Sequence, residues 1–509
     1  MEKIGFRNFR KFTDFPSIEL GGITILIGGN NAGKSTLVKA MLLMRDFLQT
    51  KIIINSKNIF SSLKPDFKFD TEHVSIGSFK RAFCRNSQEG EDTITFNLGI
   101  KTLDIQVEVR GDRTSDSLPV VTSITINDTE SNTKLIYDYS IGKMSAEFGL
   151  SENNKVAARK KEEEEAKILL LNEQLSKCKD LDQISKIKLE IERAERAIQS
   201  LKGDYSENSE PITIDFVNHI SANGVLLLPE LVNNFIYFSN TRPIGDKRTK
   251  KIQDTESKKI VLRAKTPLLN TISQKISMAI NGNVIEYIYA HSVNQQVFYN
   301  IVKDSNDYIT RTIHDFYQAR ITEGDDEFNF IQRWMKEFEI GSSLTIESLE
   351  GEAYRVIISD EENPKGIDLA DKGMGSIQLT ILLLRIATLM RKYKELDLTI
   401  LLEEPEQNLH PALQSKLVEL LYDVHINYDF QFIVETHSEY LVRNSQVLVA
   451  KNNKSTKPIV NPFRIYYIDK AEGIYPMNYN LNGKFDRDFA PGFFDVADNA
   501  ALELFDLED

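Results

Sequence analysis

The strongest constraint on this chain is a buried-looking strand that runs straight into a glycine-rich turn and then into a helix. ITILIG (23–28) is the strand, and LVKAMLLMRDFLQT carries helical apolar spacing. Between them Gly28-Gly29-Asn30-Asn31-Ala32-Gly33-Lys34-Ser35 fits GxxxxGK[ST], in the strand–turn–helix context that gives the pattern its meaning. Glycines let consecutive backbone N–H groups converge on phosphate oxygens at a helix N-terminus. Lys34 brings a positive charge to the β- and γ-phosphates, and Ser35 brings a hydroxyl to Mg²⁺. The predicted nucleotide cradle is therefore Gly28, Asn30, Asn31, Ala32, Gly33, Lys34, Ser35 and Thr36, with ATP and Mg²⁺ as its cofactors.

The rest of such a site lies far along the chain. LTILLEEP (398–405) reads as a buried strand that delivers two carboxylates to the sheet edge where the phosphate loop also ends. Glu403 is placed to reach Mg²⁺ through water, and Glu404 to orient or deprotonate the attacking water. FIVETHS (432–438) is a second such strand; its His437 can donate to a γ-phosphate oxygen and report whether that phosphate is present. LADKGMGSIQ (369–378) opens the apolar helix LTILLLRIATLM. Gly375-Ser376 at that helix start makes an anion site with nothing in cis to fill it, and a plain helix-capping turn is the rival explanation. The nucleotide core is thus split between residue 30 and the residues after 370.

The intervening sequence changes character twice. TITFNLGI, LDIQVEVR, VTSITIND and KLIYDYSI alternate apolar and polar residues, which predicts an antiparallel meander within 92–150. In 155–202 the apolar residues Ile184, Ile187, Ile191, Ala194, Ile198 and Leu201 form a heptad seam. Ile168, Leu171, Leu175 and Cys178 form a matching one, and Asp180 or Asp182 suits the cap of the second helix. Two seams joined by a short break predict an antiparallel coiled-coil hairpin; the alternative is a single exposed charged helix. The predicted units are an N-terminal lobe at 1–150, the hairpin at 151–205, a mixed α/β and helical part at 206–345, a C-terminal lobe at 346–480 and a tail at 481–509.

Composition excludes several classes. No apolar run is expected to reach the length of a membrane span, and MEKIGFRNFRKF has no signal-peptide core. Two cysteines far apart offer neither a disulfide framework nor a metal cluster, and the cytoplasm is the expected compartment. A net charge of −13 argues against a chain coated in nucleic acid. The charge is uneven, however: residues 242–265 carry nine Lys/Arg against three Asp/Glu, a patch that can contact phosphates or be a solvated loop.

Taken together and in order, these segments resemble the ABC-type ATPase heads of the SMC, Rad50 and RecF group. They resemble most closely the OLD-like (overcoming-lysogenisation-defect) ATPases of bacterial defence. ADKGMGSIQ is similar to their degenerate signature motif, EEPEQNLHP to their Walker B and D-loop, and VETHSEYLV to their switch-histidine segment. VSIGSFKRAF (74–83), IYFSNTRPIGDKR (236–248) and NGKFDRDFAPGFFDVADNA are similar to other recurring segments. The resemblance implies an α/β ABC-type head, a mixed sheet with the phosphate loop plus an antiparallel β subdomain, interrupted by the coiled-coil hairpin.

It further implies hydrolysis of ATP to ADP and phosphate in a homodimer or higher homo-oligomer. Gly373, Gly375 and Ser376 of one subunit would close over ATP held by Lys34 of the other, with Asn408, Leu409 and His410 lining the interface. The glutamine of the usual Q-loop has no evident counterpart; residues 73–85 are the region expected to supply it. Where the family has Asp this chain has Glu403, one methylene longer. About seventy residues follow His437, without a DxD pair on a strand, so a Toprim nuclease is expected on another protein. The resemblance thus points to the ATPase subunit of a Septu- or PARIS-type antiphage complex, controlling a separately encoded effector: an HNH or Toprim nuclease, or retron components. The other expectations are a RecF- or Rad50-like DNA repair clamp, with Lys247, Arg248, Lys250 and Lys251 on DNA, and an ATP-loaded scaffold with little turnover.

Overall fold

The computed structural model describes residues 1–49, 65–148 apart from 89 and 142, 268–289, 297–300, 307–469 apart from 351, 472–491, 493–495 and 499–500. It also describes short pieces at 52–53, 167–168, 171–172, 187–188, 190–196, 212–215, 225–226 and 502–503. The basic segment 242–265 and most of the predicted hairpin lie outside the described residues. Within the hairpin, Leu171 and Ala194, one from each predicted seam, are buried.

Two sheets share the first strands of the chain. β1 (Lys3–Phe9) and β2 (Phe12–Glu19) belong to an eight-stranded antiparallel sheet. That sheet continues through β5 (Thr93–Ile100), β6 (Leu103–Arg110), β7 (Val120–Asp128), β8 (Thr133–Asp138) and β9 (Lys143–Phe148) to β10 (Ile212–Asp215). In β6 and β8 buried residues alternate with exposed or half-buried ones, so the meander predicted from alternation turns one face inward. That face packs on helix α1 (Lys34–Gln49) and on the helical residues 268–281. A short pair joins β4 (Ile52–Ile53) to β11 (Val225–Leu226).

β3 (Ile23–Gly28) departs to a different sheet of six strands. Its order is β12 (Asn283–Tyr289), β17 (Asp397–Glu403), β18 (Gln431–Glu435), β3, β19 (Phe463–Asp469) and β20 (Gly473–Pro476). From β12 to β19 the pairing is parallel. Every residue of β3 is buried, as an unbroken apolar strand inside a parallel sheet must be. The register sets Glu403 beside Glu435, and Glu435 beside Leu26, so both acids end level with the strand that feeds the phosphate loop.

A four-stranded sheet of β13 (Tyr299–Asn300), β14 (Ser343–Leu349), β15 (Ala353–Ser359) and β16 (Ile367–Asp368) completes the strands. α2 (Phe79–Ala82) is one short turn. α3 (Tyr308–Gln318), α4 (Asp326–Glu337), α5 (Met374–Lys392), α6 (Pro411–Tyr428) and α7 (Glu439–Asn453) enclose a second core around the parallel sheet. α5 corrects one expectation from composition. Its 19 residues are long and apolar enough to cross a membrane, yet it is buried from Leu379 to Met390 against α3, α4 and the sheet. Its apolar character is that of a core helix. At the far edge Phe489 and Phe493 meet Tyr467 edge-on, and Phe494 packs against both of them, fixing the C-terminal segment to β19.

Candidate active site

The phosphate loop joins the last residue of β3 to the first turn of α1. Gly28 (φ 155°) lies where a Cβ would sit 2.5 Å from the Ile468 carbonyl oxygen of β19. Gly33 has a φ of 114°, which a residue with a side chain rarely adopts. Asn31 is left-handed (φ 59°), and its carbonyl accepts from Lys11 Nζ at 2.7 Å. Lys34 is buried, and its ammonium donates to Gly28 O at 3.0 Å and Gly29 O at 3.4 Å.

The same ammonium lies 2.9 Å from His437 Nε2. An ammonium can only donate, so Nε2 accepts and the ring proton sits on Nδ1. Burial, then the Lys34 charge, holds His437 below the ordinary histidine range, consistent with a neutral ring. Burial likewise lowers Lys34. His437 in this structure is therefore an acceptor for Lys34 rather than a donor toward a phosphate. Donation from Nε2 requires the other tautomer.

The acidic side is built by the ends of β17 and β18. Glu404 stands in the left-handed region (φ 44°), which costs a residue with a side chain on the order of 1–2 kcal/mol. Its N–H donates to Glu435 O at 2.7 Å, and its side chain accepts from Gln407 Nε2. Glu404 Oε1 is 3.7 Å from His437 Nε2, so the expected hydrolytic acid and the switch histidine do share one place. Glu403 accepts from the Tyr287 hydroxyl of β12. Burial and that bond to Glu403 push the phenol well above its ordinary range.

Three residues that the sequence reading passed over join the site. Glu435 is 4% exposed; its Oε1 accepts the Ser35 hydroxyl at 2.8 Å and its Oε2 is buried without a hydrogen-bond partner among the described residues. Burial raises it to about 7, against the Ser35 bond, with Glu403 adding to the rise. Buried Glu406 accepts the His437 N–H at 2.7 Å, and its carboxyl is likewise raised by burial. Tyr287 is the third. The signal for the first two was an acid two residues before the histidine and another just past the Glu403-Glu404 pair; no local pattern points to Tyr287.

Signature and D-loop residues form a separate cluster. Gly375 is pressed against the D-loop turn, where a Cβ would meet Asn408 O at 2.7 Å and the Leu409 side chain at 3.0 Å. Gln378 Nε2 donates to Pro405 O at 3.0 Å, and Asn408 Nδ2 reaches Gln378 Oε1 at 3.4 Å. Asn408 is left-handed (φ 59°); it is exposed, and so are Gly373 and His410. His410 caps α6, its Nδ1 accepting from Ala412 N at 3.3 Å. Ser376 sits in the first turn of α5 and its carbonyl accepts from Thr380 Oγ1 at 2.7 Å.

Over the phosphate loop opens a cleft of about 1010 Å³, lined by Asn31, Ala32, Gly33, Lys34, Ser35, Thr36 and Glu435. Its walls add Arg10, Lys11, Lys39, Lys80, Arg81, Arg85 and Arg113. Among the described residues Arg10, Lys39, Lys80, Arg81 and Arg85 make no ion pair, so the cleft is strongly positive. Residues 73–85 supply Lys80, Arg81, Phe83, Cys84 and Arg85 to it and contain no glutamine. None of Gly373, Gly375, Ser376, Asn408 and His410 lines it.

The donor set suits a hydrated divalent cation as well as a phosphate chain. Ser35 offers a hydroxyl, and Glu435 a buried carboxyl oxygen with no hydrogen-bond partner among the described residues. No group of three His, Cys, Asp or Glu among the described residues could hold a metal ion alone. A cation here would share its coordination with phosphate oxygens, the usual arrangement for Mg²⁺.

A family model described as AAA ATPase domain matches residues 1–442. Among solved structures the chain is similar to an Smc head domain from Pyrococcus furiosus, which has an extended coiled coil and is bound to the C-terminal domain of ScpA. The identity is 12%, over 100% of this chain and 99% of that one, with a TM-score of 0.31. It is similar also to the SMC head domain of Thermotoga maritima, at 12% identity over 94% of this chain and 98% of that one, TM-score 0.30. An Smc head with a coiled coil and joint from Pyrococcus yayanosii gives 13% identity over 95% and 97%, TM-score 0.32. No curated protein matches the chain. The TM-scores are low, and the assignment rests on the family match, which spans the phosphate loop, both acidic strand ends and His437. The chain belongs to the AAA ATPase domain family.

Proposed function

We propose that this chain is a cytoplasmic ABC-type ATPase subunit of an antiphage defence complex, dimerising around ATP to control a separately encoded effector such as a nuclease. The observation that carries the dimer is the separation of the two half-sites. The cleft over Lys34 is lined by none of the signature or D-loop residues, while Gly373, Asn408 and His410 are exposed. A helix start whose N-cap, Gly373, is exposed suits the phosphates held by a second copy. The defence role is supported by the resemblance of EEPEQNLHP and VETHSEYLV to OLD-like segments.

In this reading the phosphate loop binds the triphosphate, and Lys34 exchanges its bonds to Gly28 and Gly29 for phosphate oxygens. Mg²⁺, when bound, neutralises the charge that develops on the transferred phosphoryl group. Glu404 accepts the proton of the attacking water from a carboxylate fixed by Gln407 and by its own N–H bond to Glu435 O. His437, released when Lys34 turns to phosphate, reports that the phosphate is there.

Light scattering and phosphate release with ATP and Mg²⁺ test this. Glu404→Gln is expected to abolish release, by about 100-fold or more, and to trap a dimer. A protein of one constant mass, with no turnover in either form, would rule out the engine and leave a scaffold. A second reading, a RecF- or Rad50-like clamp on DNA, is favoured by Arg10, Lys39, Lys80, Arg81 and Arg85 around the cleft, which make no ion pair among the described residues. It predicts tight DNA binding that weakens steeply with salt.

A further inference from the structure

Hydrolysis as described above uses Lys34, Glu404 and His437 and assigns nothing to the side chain of Glu435, the most buried of the acids near the loop. Glu435 faces the cleft beside Ser35, with Oε1 on the Ser35 hydroxyl and Oε2 buried and without a hydrogen-bond partner among the described residues. Burying a carboxylate oxygen in this way is costly, and such a group calls for a specific explanation. The Lys34 charge acts on Glu435, but its ammonium makes its hydrogen bonds to Gly28, Gly29 and His437 and none to that oxygen. Glu403, the acid expected on the metal, has an oxygen taken by Tyr287. The register places Glu403 and Glu435 side by side, so a cation drawn to one acid lies near the other.

We propose that Glu435, together with Ser35, is a direct ligand of the divalent cation that accompanies ATP. The proposal rests on the nucleotide-binding reading of the cleft. Its rival is a purely structural Glu435 that only fixes the Ser35 side chain.

The test measures binding rather than turnover, on the full chain, with a fluorescent ATP analogue in Mg²⁺ or in EDTA. Mn²⁺ is followed in parallel by electron paramagnetic resonance. Wild type is expected to bind the analogue more tightly with Mg²⁺. In Glu435→Gln, whose amide oxygen still accepts from Ser35, that gain is expected to fall about tenfold or more, with Mn²⁺ affinity falling alongside. Binding in EDTA is expected to hold or tighten, because a negative charge beside the phosphates is gone. Glu435→Asp, which keeps the charge, is expected to recover part of the gain. A full Mg²⁺ gain in Glu435→Gln, lost only in Ser35→Ala, would overturn the proposal, as would equal losses with and without Mg²⁺. Absence of binding by wild type in both conditions would instead defeat the nucleotide reading itself.

Discussion

Individual side chains at this site are held in states that water would not favour. Glu406 is the clearest, a buried carboxyl on the N–H of His437, raised above the ordinary glutamate value of 4.5. A raised carboxyl keeps its proton in the folded protein after the unfolded chain has lost it. Its contribution to stability is therefore greatest below pH 4.5 and is lost as pH rises through the folded value. Glu406→Gln, neutral at every pH, is expected to flatten that decline without nucleotide bound and so to raise stability at neutral pH. Urea denaturation of both proteins between pH 4.5 and 8 decides it; parallel curves would mean that Glu406 is ionised in the fold. Glu406 was also among the residues least legible beforehand. An acid after EEP looks like loop chemistry until β18 brings His437 over it.

At the scale of elements, one arginine joins three of them. Arg385 of α5 is 8% exposed, reaching Asp315 of α3 at 2.7 Å and Glu286 of β12. Removing the cation leaves two acids facing each other with little water. Arg385→Leu is therefore expected to cost about 2–4 kcal/mol, somewhat less than a fully buried pair because Asp315 is partly exposed. A thermal melt against wild type measures it, and adding Glu286→Gln should recover part of the loss. The elements themselves were mostly readable. ITILIG, LTILLE and FIVE are apolar runs too short for helices, and the 3.6-residue spacing of α3 and α4 is plain in YITRTIHDFYQ and FNFIQRWMKE. α5 was misjudged in one respect: a helix buried on all sides has the composition of a membrane span.

For the whole molecule the decisive question is whether two copies meet across ATP. Gly375 probes it, because its backbone abuts the D-loop turn at Asn408 and Leu409. A methyl group there would lie 2.7 Å from the Asn408 carbonyl oxygen and must displace the turn that the resemblance assigns to the interface. Gly375→Ala is expected to leave ATP binding at the Lys34 cleft intact while ATP-driven dimerisation and turnover fall by about tenfold or more, a loss of some 1.4 kcal/mol or greater. Sedimentation with and without ATP reads the first effect and phosphate release the second. An unchanged dimer would place the signature turn away from the interface.

The phosphate loop, the two acid-tipped strands, the histidine and the meander were all decided by the sequence itself. Each depends on residues within about ten positions of one another, where periodicity and turn chemistry act directly. Only the tertiary structure decided what surrounds them. Ser35 meets Glu435 across 400 residues because β3 inserts between β18 and β19, and Tyr287 meets Glu403 because β12 lies beside β17. The cations of residues 80–113 reach the loop because the antiparallel sheet shares its first strands with the segment that leads into β3. Strand order is a property of the packed core, set by which apolar faces cover one another, and no local spacing in the chain encodes it.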